Sequence, residues 1–85
     1  MNIKYTVKNT ESGRITSCVI DPNENIEDQL TQVFKITPGH GIGVYVRDNL
    51  IEVTDYYHAS SMAEFEILSK EPTDAPLRTE WTAEE

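Results

Sequence analysis

The chain has 85 residues, of which 38% are hydrophobic, and its 15 acidic and 7 basic side chains give a net charge of -8. This length allows one domain whose core is too small to hold a deep pocket. The negative charge disfavours binding to nucleic acid and to anionic membranes and favours basic protein surfaces; alternatively, it serves only to keep a small protein soluble.

The cysteine content and the N-terminal sequence indicate the cellular compartment in which the protein is expected. Cys18 is the only cysteine, so neither an intrachain disulfide nor a cysteine-based zinc site is possible. No histidine lies near Cys18 in the sequence, and we expect a structural, partly buried thiol rather than a nucleophile. The N-terminus lacks the apolar stretch of a signal peptide, and no apolar run approaches membrane-spanning length. The expected location is therefore a reducing cytoplasm.

The N-terminal part of the chain predicts an antiparallel hairpin. Apolar and polar side chains alternate over residues 2–8, as in a half-buried strand. Residues 9–13 form a turn cluster, and residues 14–20 are rich in the β-branched side chains that favour a second strand. The five-residue loop between the strands favours an antiparallel connection.

A helix is predicted to follow this hairpin. Residues 21–24 carry an Asp that can cap, a Pro suited to the first helical position and a Glu that can complete a capping box. Asn25 with Asp28 is a second possible cap, so the start stays open by a few residues. Apolar residues spaced i, i+4, i+7 and i+8 then form one stripe of a helix of roughly three turns: Ile26, Leu30, Val33 and Phe34. The acids of the first turn, which include Glu24 and Glu27, either stabilise the helix dipole or contact a partner.

Residues 42–57 predict a second hairpin. Its strands are joined by Asp48-Asn49, a pair that suits a two-residue primed turn. That turn sets the cross-strand pairs: Arg47 with Leu50, Val46 with Ile51, Tyr45 with Glu52 and Val44 with Val53. One face is then apolar and consists of Ile42, Val44, Val46, Ile51 and Val53. The other face consists of Tyr45, Arg47, Leu50, Glu52, Thr54 and Tyr56. The turn and the hydrophobic pattern agree on this register.

Two interpretations fit residues 62–70. The alternation of apolar and acidic side chains from Ala63 to Ile67 favours a strand, whereas the spacing of Met62, Phe65 and Leu68 is close to helical. We predict the strand, because the connection from the preceding strand is short.

The chain changes character after residue 70. Residues 71–85 contain two prolines, five acids and no periodic apolar run. They are predicted to form an acidic, extended and mobile tail behind a single domain of residues 1–70. Leu77 and Trp81 are the large side chains of this tail, and either can fold back on the domain or meet a partner.

No pattern of residues indicates catalysis. The two histidines, His40 and His58, lack a partner at metal-ligand spacing, and no Ser, Cys or Thr lies in a nucleophile motif. The carboxylates of Glu64 and Glu66 lie on the same strand face, but no cleft large enough for a sugar is expected beside them, which disfavours glycoside hydrolysis. We therefore predict a protein that is not an enzyme and that uses no metal or cofactor.

The polar face of the second hairpin is the predicted interface. Tyr45, Arg47 and Tyr56 suit stacking on bases, but Glu52 opposite Tyr45 and the net charge disfavour direct contact with nucleic acid. Tyrosine and arginine are also enriched at protein interfaces, so a protein partner fits these residues better. Alternatively, another strand or a second subunit covers this face.

Residues 41–47 read Gly-Ile-Gly-Val-Tyr-Val-Arg and lead into a tight turn. Together with a strand hairpin, one helix and a further hairpin over residues 1–68, this layout resembles several small phage-encoded anti-CRISPR proteins of the type I systems. The resemblance implies a stoichiometric inhibitor in the host cytoplasm that occupies a protein surface, often a basic one that binds DNA or RNA. Carboxylates can replace phosphates against such a surface.

We predict an α+β fold, with an antiparallel sheet of four or five strands in the order ββαββ plus a final strand, and one helix across the apolar face. The predicted core contains Ile3, Tyr5, Val7, Ile26, Leu30, Val33, Phe34, Val44, Val46, Ile51, Val53 and Phe65.

The predicted function is a non-enzymatic inhibitor, of a CRISPR effector complex if the resemblance holds, that blocks a basic nucleic-acid-binding surface. The alternative is a structural protein that forms a homodimer through its exposed sheet face. The predicted partner contacts are Tyr45, Arg47, Tyr56, Glu24, Glu27, Asp28, Asp48, Glu52 and Asp55.

Overall fold

The computed structural model describes residues 1–34, 42–55 and 60–84, and these form one six-stranded sheet and one helix. The strands are β1 (Asn2–Asn9), β2 (Ile15–Ile20), β3 (Ile42–Arg47), β4 (Leu50–Asp55), β5 (Ser60–Thr73) and β6 (Arg78–Ala83). The helix α1 (Ile26–Val33) lies between β2 and β3 in the chain. The strand order is β3-β4-β5-β1-β2-β6, and all neighbours are antiparallel. The predicted α+β fold is confirmed, with a larger sheet.

The β3–β4 hairpin has the predicted register. Arg47 is paired with Leu50 next to the turn, and the pairing continues to Ile42 and Asp55. Asp48 has a φ of 53°, the positive value that the first position of a primed turn requires. Local turn chemistry and side-chain alternation therefore suffice to specify this part of the sheet.

The long strand β5 joins the two hairpins into one sheet. Its first half pairs with β4, where Phe65 lies opposite Ile51, and its second half pairs with β1, where Lys70 lies opposite Tyr5. The register shifts once along each of these two pairings. The prediction of a strand rather than a helix at residues 62–70 is confirmed.

The prediction of a mobile tail after residue 70 is wrong. Residues 71–73 extend β5, and Arg78–Ala83 forms β6, which pairs with β2 at one edge of the sheet. Trp81 is the only large apolar side chain in β6, so this strand lacks the alternating apolar pattern by which a strand is recognised. Its place in the sheet depends on that one side chain and on backbone pairing.

The core lies between α1 and one face of the sheet. We call this face, which carries Tyr5, Val7 and Ile51, the inner face, and the opposite one the outer face. Every predicted core residue belongs to this core and is buried or half-buried. Further core residues that were not predicted are Cys18, Ile20, Ile42, Ala63, Ile67 and Trp81.

The sheet curls around α1, which contacts β3 at one edge and β6 at the other. The rings of Phe65 in β5 and Trp81 in β6 stack with centroids 6.1 Å apart, although β1 and β2 lie between these strands. Three strand spacings in a flat sheet would separate them by about 14 Å. Phe34, at the end of α1, completes the cluster at 5.1 Å from Phe65 and 5.4 Å from Trp81. The helix therefore fills the gap between the two sheet edges.

The helix begins at the later of the two predicted starts. Asn25 is the N-cap, and its side chain accepts a hydrogen bond from the Asp28 N–H at 3.0 Å. The buried Gln29 amide pairs with the backbone of Asp21, donating to its carbonyl and accepting from its N–H, both at 2.7 Å. At eight residues α1 is shorter than predicted, and no helix within the described ranges has the length and apolarity to cross a membrane.

Replacing Trp81 with alanine should lower the free energy of unfolding by about 3 kcal/mol, because it removes the side chain that holds β6 and Phe34 together. Trp81 is the only tryptophan, so urea unfolding should be followed by circular dichroism. Leu77→Ala is the control, since Leu77 is 54% exposed and its loss should change the stability by less than about 0.5 kcal/mol. Equal losses in both variants would show that Trp81 does not anchor β6.

Candidate functional site

The sheet divides the predicted contact residues between two surfaces. Tyr45 and Glu52 are half-buried and Arg47 is exposed on the outer face, since they alternate with the core residues of β3 and β4. Glu24, at the entry to α1, lies on the opposite side, because the helix packs on the inner face. These residues therefore cannot all contact one flat partner surface.

Side chains of three neighbouring strands meet in a hollow on the outer face. The hollow is lined by Tyr45, Arg47, Leu50, Glu52 and Glu64, and we call these five residues the outer hairpin face. Its volume of about 50 Å³ holds one or two water molecules. Small-molecule sites usually have at least roughly 300 Å³. This surface therefore suits contact with a macromolecule better than it suits binding of a small substrate.

Two acids of the outer hairpin face lie directly opposite each other. Glu52 in β4 is paired with Glu64 in β5, a position in which Cβ atoms are about 5 Å apart and like charges destabilise a sheet. Glu52 accepts a hydrogen bond from the Thr54 hydroxyl at 3.1 Å. Neither acid forms an ion pair with any of the described residues. The sheet therefore holds two carboxylates side by side without an ion pair to either of them, although Arg47 lines the same hollow.

Glu64 is not among the contact residues predicted from the sequence. Its position beside Glu52 depends on the pairing of β4 with β5, which shifts register between Val53 and Thr54. The alternation in residues 62–67 predicts the correct side of the strand but not the partner across it, because the sequence at 56–59 carries no two-residue turn signal like Asp48-Asn49.

Glu27 has a structural role inside the domain. Its Oε2 accepts a hydrogen bond from the backbone N–H of Val46 at 2.9 Å. Val46 lies in the edge strand β3, so this carboxylate satisfies an edge group that would otherwise be open to another chain. The contact ties α1 to the sheet and occupies a side chain that was predicted to meet a partner.

The remaining predicted contacts are scattered. Glu24 and Asp28 line a groove of about 460 Å³ between α1 and the segment that includes Leu77. Asp48 is exposed at the β3–β4 turn, and Asp55 ends β4. Tyr56 lies outside the described residues. Within the described residues, no three side chains of the metal-binding types come together.

Cys18 is buried in the core, as expected for a structural thiol. Burial raises the pKa of its thiol to about 11, and the positive charge of Arg78 offsets only part of that effect. The thiolate is the reactive form. Cys18 is therefore held in its unreactive protonated form at neutral pH.

Comparison with models of protein families, with curated proteins and with solved structures finds no match for this chain. Any function proposed for it therefore has to come from the arrangement of its own side chains.

Replacing Glu27 with alanine should lower the free energy of unfolding by about 1.5 kcal/mol, because the Val46 N–H loses a charged hydrogen-bond partner. Asp28→Ala removes a neighbouring first-turn acid without such a contact and should change the stability by less than about 0.5 kcal/mol. Glu27→Gln retains an acceptor oxygen and should recover most of the loss. Faster hydrogen exchange of the Val46 amide in Glu27→Ala alone would locate the effect, whereas equal losses for Glu27→Ala and Asp28→Ala would contradict it.

Cys18 in the folded protein should react with Ellman's reagent at pH 8 far more slowly than a free thiol. With a pKa of about 11, roughly one part in a thousand is thiolate at that pH, and burial blocks access as well. Stoichiometric reaction should appear on adding denaturant. Rapid labelling of the native protein would show that the strand carrying Cys18 opens readily.

Proposed function

We propose that this protein is a non-enzymatic inhibitor that binds a basic surface of another protein through its outer hairpin face. The observation that carries the proposal is the direct pairing of Glu52 with Glu64 beside Tyr45 and Leu50. Like charges in this position destabilise the free protein. A lysine or arginine from a partner would neutralise them and form charge-assisted hydrogen bonds.

The same face offers uncharged contact area and a basic residue. Tyr45 and Leu50 border the hollow, and tyrosine contributes large contact area with little loss of side-chain entropy. Arg47 follows Tyr45 by two residues on this side of β3. A single positive charge beside the acids would fix the orientation of the partner, because a wrongly placed basic group would be repelled.

The overall charge supports a basic partner. A net charge of -8 attracts positively charged surfaces over distances of about 10 Å and speeds association at low salt. Surfaces that bind nucleic acid are basic, and carboxylates can take the place of phosphates on them. The layout predicted from the sequence resembles that of small anti-CRISPR proteins, and this resemblance makes a type I CRISPR effector complex the first partner to test.

A second copy of the chain is a poorer partner for this face. A twofold dimer places the same patch of both copies together. Glu52 and Glu64 outnumber Arg47 on this face, so both copies would bring a net negative charge to the interface, and this repulsion disfavours the homodimer.

Binding to an immobilised type I effector complex should be measured by biolayer interferometry for the wild type and for Glu52→Gln/Glu64→Gln. The double variant should bind about tenfold more weakly, since it loses the charges that meet the partner. The wild-type affinity should fall as salt rises from about 50 to 300 mM. The control Asp74→Asn/Glu80→Gln removes two charges at exposed positions away from the outer hairpin face and should stay within about twofold of the wild type.

Three outcomes would count against this proposal. Absence of binding at low salt would exclude the effector complex as the partner, and equal weakening in the control variant would exclude the outer hairpin face. A stable dimer in light scattering that dissociates on Tyr45→Ala would favour the structural, self-assembling protein.

A further inference from the structure

A lysine contacts Glu84, the residue after β6, directly, and an arginine is linked to it through Ser17. Lys4 Nζ lies 2.8 Å from Glu84 Oε1, and the Ser17 hydroxyl donates a hydrogen bond to the same oxygen. Arg78 Nη2 in turn donates to Ser17 Oγ at 2.6 Å. Lys4, Ser17 and Arg78 belong to the adjacent strands β1, β2 and β6, and we call them the cationic cradle.

Glu84 uses only part of what the cradle offers. Its carboxylate makes both of its contacts through one oxygen, Oε1. The Arg78 guanidinium contacts Ser17 rather than Glu84, and its Nε is buried without a hydrogen-bond partner among the described groups. Nε and Nη2 form the edge of a guanidinium that binds two oxygens of one anion side by side. A donor is therefore left unpaired beside a bound carboxylate.

The floor of the cradle is buried, whereas the ion pair between Lys4 and Glu84 is partly exposed. Ser17 is completely buried in a central strand and forms the floor of the site. The side chains of Lys4 and Glu84 are 35% and 30% exposed, so their ion pair is open to solvent. The contacts to Lys4 and Ser17 lower the pKa of Glu84. The site thus stabilises a negative charge but holds its present one loosely.

We propose that the cationic cradle is a binding site for a phosphoryl group and that Glu84 occupies it in the free protein. A phosphate monoester carries a charge of about -1.5 to -2 and three acceptor oxygens. It can therefore contact Lys4, Ser17 and the unpaired Nε–H of Arg78 together, once Glu84 has moved away. This site is independent of the outer hairpin face and of the inhibitory function proposed above.

An external anion has to compete with the Glu84 carboxylate for the cationic cradle. A tethered group competes at an effective concentration on the order of millimolar. The net charge of -8 also lowers the affinity for every anion. Only an anion that makes more contacts than Glu84 can displace it, which favours a phosphoryl group over a second carboxylate.

The test is a titration of the isotope-labelled full chain with inorganic phosphate at constant ionic strength, in which NMR follows the Arg78 Nε–H signal. The wild type should show a saturable shift, and Glu84→Gln should bind phosphate about tenfold more tightly because the competing charge is gone. Glu80→Gln removes one exposed charge from β6 outside the cradle and should match the wild type. Arg78→Lys in the Glu84→Gln background keeps the charge but loses Nε, and should cancel the gain.

Several results would overturn the proposal. One is the lack of a saturable shift in both the wild type and Glu84→Gln at phosphate concentrations up to about 100 mM. Another is an equal gain in phosphate affinity in Glu80→Gln, which would show that the change in net charge alone causes the effect. A third is tighter binding of acetate than of phosphate. The same spectra show whether each variant is folded. If Glu84→Gln does not fold, the wild-type titration alone tests the proposal.

A parallel titration with O-phosphoserine separates the sources of the phosphoryl group. Affinity equal to that of inorganic phosphate supports a phosphorylated side chain as the ligand. Much weaker binding of O-phosphoserine supports free phosphate.

Discussion

The contact of α1 with both edges of the sheet is the constraint on which the rest of the structure depends. A curled six-stranded sheet leaves two edge strands with unpaired backbone groups, and a single short helix has to cover the gap between them. It does so through apolar packing of Phe34 against Phe65 and Trp81 and through the hydrogen bond from Val46 to Glu27. Because the helix occupies the inner face, the outer face of the sheet is the one that the described residues leave open to a partner.

The parts of the fold that the sequence predicts are those specified by neighbours in the chain. The β3–β4 register follows from a two-residue turn and alternation, and the helix start follows from a cap at Asn25. The position of β6 cannot be predicted in this way, because it depends on contacts of Trp81 with aromatic rings that are distant in sequence. A polar strand with one large apolar side chain is predicted to be a mobile tail, because the sequence does not show which aromatic cluster that side chain joins.

The candidate site was predictable to the same extent and for the same reason. Tyr45, Arg47 and Glu52 share a face because one hairpin carries them, and that face is where the structure places them. The pairing of Glu52 with Glu64 joins β4 to β5, and the sequence between these strands has no two-residue turn signal that would predict it. Tyr56 also belongs to that prediction but lies outside the described residues.

Net charge alone does not distinguish acids that stabilise the fold from acids available to a partner. Glu27 accepts the N–H of an edge strand, and Glu84 lies against Lys4 and Ser17, so both already have partners within the domain. Glu52 and Glu64, by contrast, face each other and form no ion pair with a described side chain, although Arg47 lines the same hollow. An acid with an internal partner has to give up that contact before it can bind anything else, whereas an uncompensated pair gains from the first positive charge it meets. The direct pairing of Glu52 with Glu64, rather than the number of acids, is therefore what supports the proposal of a basic partner for this surface.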